Sequence, residues 1–291
     1  MMTVARRNRS RVLGGLAVLV LLLSGCPARP SRVAPQPPPT NALLPAEADA
    51  RAEVVRRDPA AYLHRVAFIC QSLDQYTLLF TRTERRGFFQ QLYGPEHIRC
   101  WFRRRPFSVR MQFLEAGSRY TASAYVEGQA ENKVRFVTRR WMIGLLPPPQ
   151  VNHVDLLAPV TWGESKRPLT EFGLERLVQR SLEFFHAAGG DALLTYVGVR
   201  HLPETGALVH HLRQQYPAGR YRVPIQELYI DVATDWPVGT VFKLASGQID
   251  ASYFYTEIDT QVRLTDDDFL LDAERGATQP TSRPAAATKP R

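Results

Sequence analysis

Apolar side chains recur at every second position in run after run of this chain, and that period limits what it can fold into. Phe107, Val109, Met111 and Phe113 alternate with Ser108, Arg110 and Gln112. Tyr76, Leu78 and Phe80 alternate with Thr77, Leu79 and Thr81. Successive strand side chains point to opposite faces, so these runs read as strands with one buried face. Further strands are predicted at 119–127, 132–139, 154–162, 192–201, 206–216, 226–233, 238–245 and 251–262. The turn signals between them are short: Gly94-Pro95, Gly117-Ser118, Gly128, Gly206 and Gly247. Strands this close together form an antiparallel meander rather than βαβ units.

Two segments follow a helical period instead. Asp58 suits an N-cap and Pro59 the first helical position. Leu63, Val66, Ala67, Cys70 and Leu73 then keep helical spacing, with an end near Asp74. Residues 170–187 place Leu174, Leu177, Val178, Ser181, Leu182 and Phe185 on one stripe, which Gly189-Gly190 closes. The economical fold is α+β and mainly antiparallel β, a curved sheet with helices over one face. Alternation divides the side chains into two sets without saying which set faces the helices. Tyr76, Leu78, Phe80, Phe107, Val109, Met111, Phe113, Tyr253 and Tyr255 are the candidates for an apolar cavity lining. Together with Trp141, the aromatics among them equally suit a closed core.

The N-terminus carries an address. Arg6, Arg7, Arg9 and Arg11 precede an apolar run from Val12 to Leu23, followed by Ser24, Gly25 and Cys26. A positive start, a short apolar stretch and small residues before a cut make a secretory signal over residues 1–25. The run is about twelve residues, short of the roughly twenty that span a bilayer. Leu23-Ser24-Gly25-Cys26 resembles the lipobox of bacterial lipoproteins, which implies cleavage before Cys26 and a diacylglyceryl group on its thiol. The mature chain then faces the periplasm of the cell envelope on a lipid anchor. Residue 27 is Pro rather than Asp, which under the sorting pattern of some lipoproteins favours the outer membrane. Seven prolines in residues 27–50 predict an extended stalk, assigned to 26–57. Fully extended, it reaches about 70 Å. Residues 58–274 form the folded domain, and 275–291 a disordered basic tail.

Composition narrows the chemistry. The net charge is +9, and loss of the four leader arginines leaves about +5, a weak footprint for nucleic-acid binding. With Cys26 lipidated, Cys70 and Cys100 remain as either a disulfide or two buried thiols. No nucleophile elbow, S-x-x-K, phosphate-cradling loop or H-E-x-x-H occurs in the sequence, so no catalytic residue, metal or cofactor is assigned. His210 and His211 are adjacent on a predicted strand and point to opposite faces. Asp266-Asp267-Asp268 after Thr265 reads as a short helix start. Arg99, Arg103, Arg104 and Arg105 crowd Trp101 and Phe102. Arg103 and Arg105 are either headgroup contacts or a solvated strand end.

Several segments together resemble one family. They are Tyr76-Thr77 through Glu84-Arg85, then Arg105-Pro106-Phe107-Ser108-Val109 followed by Met111, and Pro168-Leu169-Thr170-Glu171-Phe172-Gly173-Leu174. Tyr229-Ile230-Asp231 with Trp236-Pro237-Val238, Tyr253-Phe254-Tyr255, Leu264-Thr265-Asp266 and Asp268-Phe269 complete the series. In order and spacing they resemble the bacterial domain-of-unknown-function family numbered fifteen-seventy-one, from about Tyr62 to Asp272. The family's usual Asn-Pro-x-Tyr ending is replaced here by Leu270-Leu271-Asp272. The resemblance implies a fold like the LolA and LolB lipoprotein carriers and receptors. That fold is an incomplete barrel covered on its concave side by an N-terminal and a central helix, with acyl chains held between.

The expected role is therefore a tethered envelope protein that binds a lipid or acyl chain. The alternative is a non-catalytic structural or protein-interaction module whose partner the sequence does not name. Replacement C26S is expected to abolish incorporation of an alkyne-tagged palmitate and to move the chain out of the membrane fraction. Persistent labelling of the variant would refute lipidation at this cysteine.

Overall fold

The computed structural model describes residues 45–139, 151–217 and 219–278. The leader, Cys26, the polyproline run, Trp141 and residues 279–291 lie outside the described residues. The helices are α1 Pro45–Arg57, α2 Pro59–Gln71, α3 Ala158–Thr161, α4 Leu174–Ala188 and α5 Asp272–Thr278. The strands of the first half are β1 Gln75–Arg86, β2 Gln91–Arg103, β3 Ser108–Phe113, β4 Tyr120–Val126, β5 Val134–Thr138 and β6 Asn152–Val154. Those of the second half are β7 Leu193–Leu202, β8 Ala207–Gln215, β9 Ile225–Asp231, β10 Pro237–Lys243 and β11 Ile249–Asp259.

All eleven strands form one sheet in the order β6-β5-β4-β3-β2-β1-β11-β10-β9-β8-β7, and every pairing is antiparallel. Two meanders are thus joined where β1 meets β11, and the sheet is not closed into a barrel. Facing residues in the ladders carry the period-two pattern inward: Phe80 opposite Tyr255, Leu78 opposite Cys100, Phe102 opposite Val109. The largest apolar core lies on this inner face, under α2 and α4.

Each helix is placed by a local signal and a buried stripe. Asp58 caps α2 by accepting from the Ala61 amide at 2.9 Å, and Tyr62, Leu63, Val66, Ala67 and Cys70 are buried. On α4 the buried set is Leu174, Val178, Ser181, Leu182 and Ala188. Its N-cap is Gly173, which has no capping side chain. Tyr76 takes over that duty, its hydroxyl accepting from the Leu174 amide at 3.0 Å while its ring stacks on Phe102 at 4.6 Å. Gly173 has φ +135°, and a Cβ there would lie 3.2 Å from Phe102 Cε2. Both the backbone conformation and the close approach call for glycine.

Some boundaries differ from the sequence reading, for local reasons. Residues 45–57, assigned to the stalk by proline content, form α1, whose Ala52 and Val55 are buried. Arg51 donates to the Val232 carbonyl at 2.8 Å. The prolines end at Pro45, and the alanine-rich stretch after it favours helix. Residues 155–162 are not a strand, and only Val154 of that prediction falls in one, at the end of β6. Pro159 cannot join a ladder and instead sits in the first turn of α3. Gly94-Pro95 is not a hairpin turn but lies inside β2, at a break in the β1–β2 register, as expected of a bulge. The start of the predicted tail is occupied by α5.

The outer face is covered in part by the C-terminal segment. Phe269 and Leu271 are buried, and Leu271 packs on Ala122 and Ala124. Thr265 and Asp268 form a capping box at a 3-10 turn over Asp266–Phe269, the helix start read from the three aspartates. His210 and His211 do face opposite ways. His210 meets Tyr196 at 3.1 Å on the inner side, and His211 meets Glu227 at 2.7 Å on the outer side.

Two tests follow from these contacts. Tyr76→Phe leaves the buried Leu174 amide without an acceptor and is expected to cost about 1–3 kcal/mol. A urea midpoint unchanged from wild type would show that α4 does not depend on this cap. For Glu227, burial opposes ionisation, but hydrogen bonds from His211, Arg213 and Lys243 outweigh it and hold the carboxyl at about 2. With the folded value below the usual 4.5, the unfolded state binds more protons in between. Stability from this group is full above 4.5 and falls as pH drops towards about 2. Glu227→Gln should flatten that part of a stability–pH curve, and an identical slope would exclude Glu227 as its source.

Candidate functional site

A groove opens between the inner face of the sheet and a cover made of α4 and the segment leading into it. Its sheet wall includes Phe80, Met111, Phe113, Phe242, Tyr253 and Tyr255. Its cover includes Trp162, Leu169, Phe172, Leu177 and Phe184. Phe136 of β5 and Gln226 of β9 line the same groove, although seven inter-strand steps separate them. In a flat sheet they would stand about 33 Å apart. The sheet therefore curls around the groove, and the helices sit on its concave side.

The groove holds about 1200 Å³ of empty space including its open mouth, of which about 150 Å³ admits the centre of a water-sized sphere. The smaller figure is the one to compare with closed cavities. A second cavity adjoins it, lined by Tyr216, Tyr221, Phe242 and Tyr253 among others, with about 240 Å³ on the same narrow measure. Arg167, Phe184, Gln226, Phe242 and Tyr253 belong to both linings.

The walls are aromatic at one end and charged at the other. Phe80 stacks on Tyr255 at 5.3 Å and meets Phe172 edge-on at 5.7 Å. Two positions further along the same face of β1, the inward side chain is Arg82, and the next is Glu84. Arg82 bonds Glu96 at 2.8 Å, and Arg86 bonds the same carboxylate at 3.0 Å. Tyr253 donates to Glu84 at 2.5 Å, while the other Glu84 oxygen has no hydrogen-bond partner among the described residues. The opposite wall carries Arg167 and Arg180. Arg180 pairs with Glu171. Burial, then the neighbouring Arg167, bring Arg180 down to about 10. Arg167 is likewise lowered, chiefly by burial. At about 10, Arg180 keeps its charge at neutral pH.

The candidate residues read from the sequence separate into groups. Phe80, Met111, Phe113, Tyr253 and Tyr255 line the groove. Tyr76, Leu78 and Val109 are buried in the closed core beside it, and Phe107 packs against that core. Cys70 and Cys100 are both free buried thiols, with burial raising Cys70 to about 12 and Cys100 further still. Arg103 stacks over Phe269 at 4.8 Å and pairs with Asp266 at 2.8 Å. Arg105 is exposed and pairs with Asp74 at 3.2 Å. Neither is among the residues lining the two cavities. The described residues hold no cluster suited to a metal ion.

Arg82, Glu84, Arg167 and Arg180 went unread in the sequence. The first two lie on the same period-two register as Phe80 and were legible there. Arg180 falls between Leu177 and Phe184 on the flank of the α4 stripe. Arg167 sits in a loop, where no period points to it.

The family described as "Protein of unknown function (DUF1571)" matches this chain over residues 73–275. A comparison with curated proteins finds no match. Among solved structures, MucB is 18% identical with a TM-score of 0.46, covering 75% of this chain and 64% of that one. The Pseudomonas aeruginosa MucA/MucB complex gives 18% identity and a TM-score of 0.44, over 75% of this chain and 62% of that one. The Mycobacterium tuberculosis lipoprotein LppX is 10% identical with a TM-score of 0.41, covering 72% of this chain and 100% of that one. The chain thus spans less than two thirds of the length of MucB.

Proposed function

We propose that this chain, which belongs to the DUF1571 family, is a membrane-anchored envelope protein that binds an acyl chain in the groove between its sheet and the α4 cover. The observation that carries this reading is an aromatic slot that the protein's own side chains leave unfilled. Burying a methylene contributes about 0.8 kcal/mol, so around fourteen of them give roughly 11 kcal/mol gross. Ordering the chain lowers the net value. A groove with aromatic walls and one charged end suits an amphiphile with a single acyl chain better than a uniformly apolar molecule.

The anchor argues for a fixed acceptor or local transfer role. A lipid on Cys26 holds the domain at the bilayer, and the residues after it act as a tether. The reading places the chain in the envelope, facing the periplasm, with the outer membrane favoured by the residue after the lipidated cysteine. It assigns no catalytic step. A second reading, a protein-interaction module, is favoured by exposed aromatics outside the groove. Phe68 on α2 is 74% exposed, and Phe88 and Phe89 at the β1–β2 turn are 93% and 81% exposed.

Native mass spectrometry of the full chain carrying C26S is expected to find a co-purified amphiphile or uptake of added fatty acid. Leu177→Trp, which fills the slot from the cover side, should lower that uptake at least about tenfold while leaving the fold intact. Absence of any bound or added amphiphile in the wild-type groove would overturn acyl binding and leave the interaction module standing.

A further inference from the structure

The groove carries an unbalanced charge. Five basic side chains line it and its adjoining cavity: Arg82, Lys166, Arg167, Arg180 and Arg222. Four acidic ones face them: Glu84, Glu164, Glu171 and Asp250. The pairing locates the excess. Arg82 has Glu96 at 2.8 Å, Lys166 has Asp250 at 2.7 Å, Arg222 has Asp250 at 3.8 Å, and Arg180 has Glu171. Glu164 is engaged by Arg119 and Tyr120. The Arg167 guanidinium has neither an ion pair nor a hydrogen-bond acceptor among the described residues.

We propose that Arg167, in the same lining as Arg180, receives the oxyanion head of a single-chain amphiphile whose tail lies along the aromatic part of the groove. This deepens the acyl-binding reading and rests on it. Position supports the assignment, since Arg167 is the charged residue that lines both the groove and the adjoining cavity. Its backbone is held from either side. Ser165 Oγ accepts from the Arg167 amide at 3.3 Å and donates to its carbonyl at 2.9 Å, and Pro168 follows. The side chain is therefore presented from a fixed loop rather than swept through solvent.

Chemistry supports it as well. Arg167 feels Glu84 only at longer range, a half-buried guanidinium with no direct ion pair is costly, and a carboxylate or phosphate monoester can take two of its donors side by side. The repulsion between Arg167 and Arg180 and the burial of both are relieved by the same anion. A neutral head supplies no such compensation. Carboxylate and phosphate share this chemistry, so the test separates them from each other and from an uncharged analogue.

Isothermal titration of the full chain carrying C26S with hexadecanoate, hexadecyl phosphate and hexadecanol provides it. Wild type is expected to bind at least one anionic amphiphile more tightly than hexadecanol, and the better of the two identifies the head. R167Q should weaken that ligand about tenfold or more and leave hexadecanol unchanged. R167K, which keeps the charge but loses the planar fork, should fall between and serves if R167Q does not fold. Equal binding of all three by wild type overturns the anion site and leaves acyl binding intact. Binding of none overturns the acyl reading itself. Loss in R105Q rather than R167Q moves the head to the strand-end arginines and also overturns the proposal.

Discussion

The pairing of β1 with β11 is the contact on which the rest of the molecule depends. It runs from Thr77 opposite Asp259 to Glu84 opposite Ala251, between segments at the two ends of the folded chain. Without it the meanders β1–β6 and β7–β11 would be separate sheets, each with an unpaired edge. Closing so long a loop costs conformational entropy before any contact repays it. The repayment is visible in the register. Phe80 comes beside Tyr255, Tyr253 reaches Glu84, and the aromatic floor of the groove is assembled from both halves.

A groove survives because the cover is shorter than the surface beneath it. Helices α2 and α4 bury their stripes over part of the inner face. The remainder, including Phe113, Tyr120 and Phe136, is roofed by the irregular segment around Trp162 and Leu169. Irregular backbone presents fewer side chains per unit length to a sheet than a helix does, so aromatics on the strand side are only partly matched. One strand sets the polarity of the slot. Along β1 the inward residues pass from Tyr76, Leu78 and Phe80 to Arg82 and Glu84. The charged end closes largely on its own counter-ions, and Arg167 has no carboxylate at ion-pair distance among the described residues, feeling Glu84 only at longer range.

Much of the architecture was legible in the chain. Asp58-Pro59 and the stripe from Leu174 to Phe185 identified both principal helices, since caps and helical period are local, although α4 starts at Leu174 rather than at residue 170. Strands β3, β4, β5 and β7 to β11 stood near their predicted limits. Failures had local causes of their own. β2 was obscured by Gly94-Pro95, which reads as a turn in isolation. There a Cβ at Gly94 would lie 2.5 Å from the Arg82 carbonyl oxygen, so the glycine marks close strand approach instead. α1 was hidden by proline content averaged over a longer stretch. For the candidate lining, period two could not separate Phe80, in the groove, from Tyr76, sealed beneath the start of α4. Both lie on the same face of the same strand, and only the helix overhead distinguishes them.

The amino-acid order by itself determined the antiparallel class, the two helices and the division of strand side chains into two alternating sets. All of these rest on short-range periods or on contiguous residues. Tertiary structure decided where the helices end over the sheet, which aromatics stay uncovered, and which groove arginine has no carboxylate at ion-pair distance. Those outcomes depend on sums over partners far apart in the chain. Arg180 has Glu171 within ion-pair distance, whereas Arg167 feels Glu84 only at longer range, and no spacing along the chain encodes that difference.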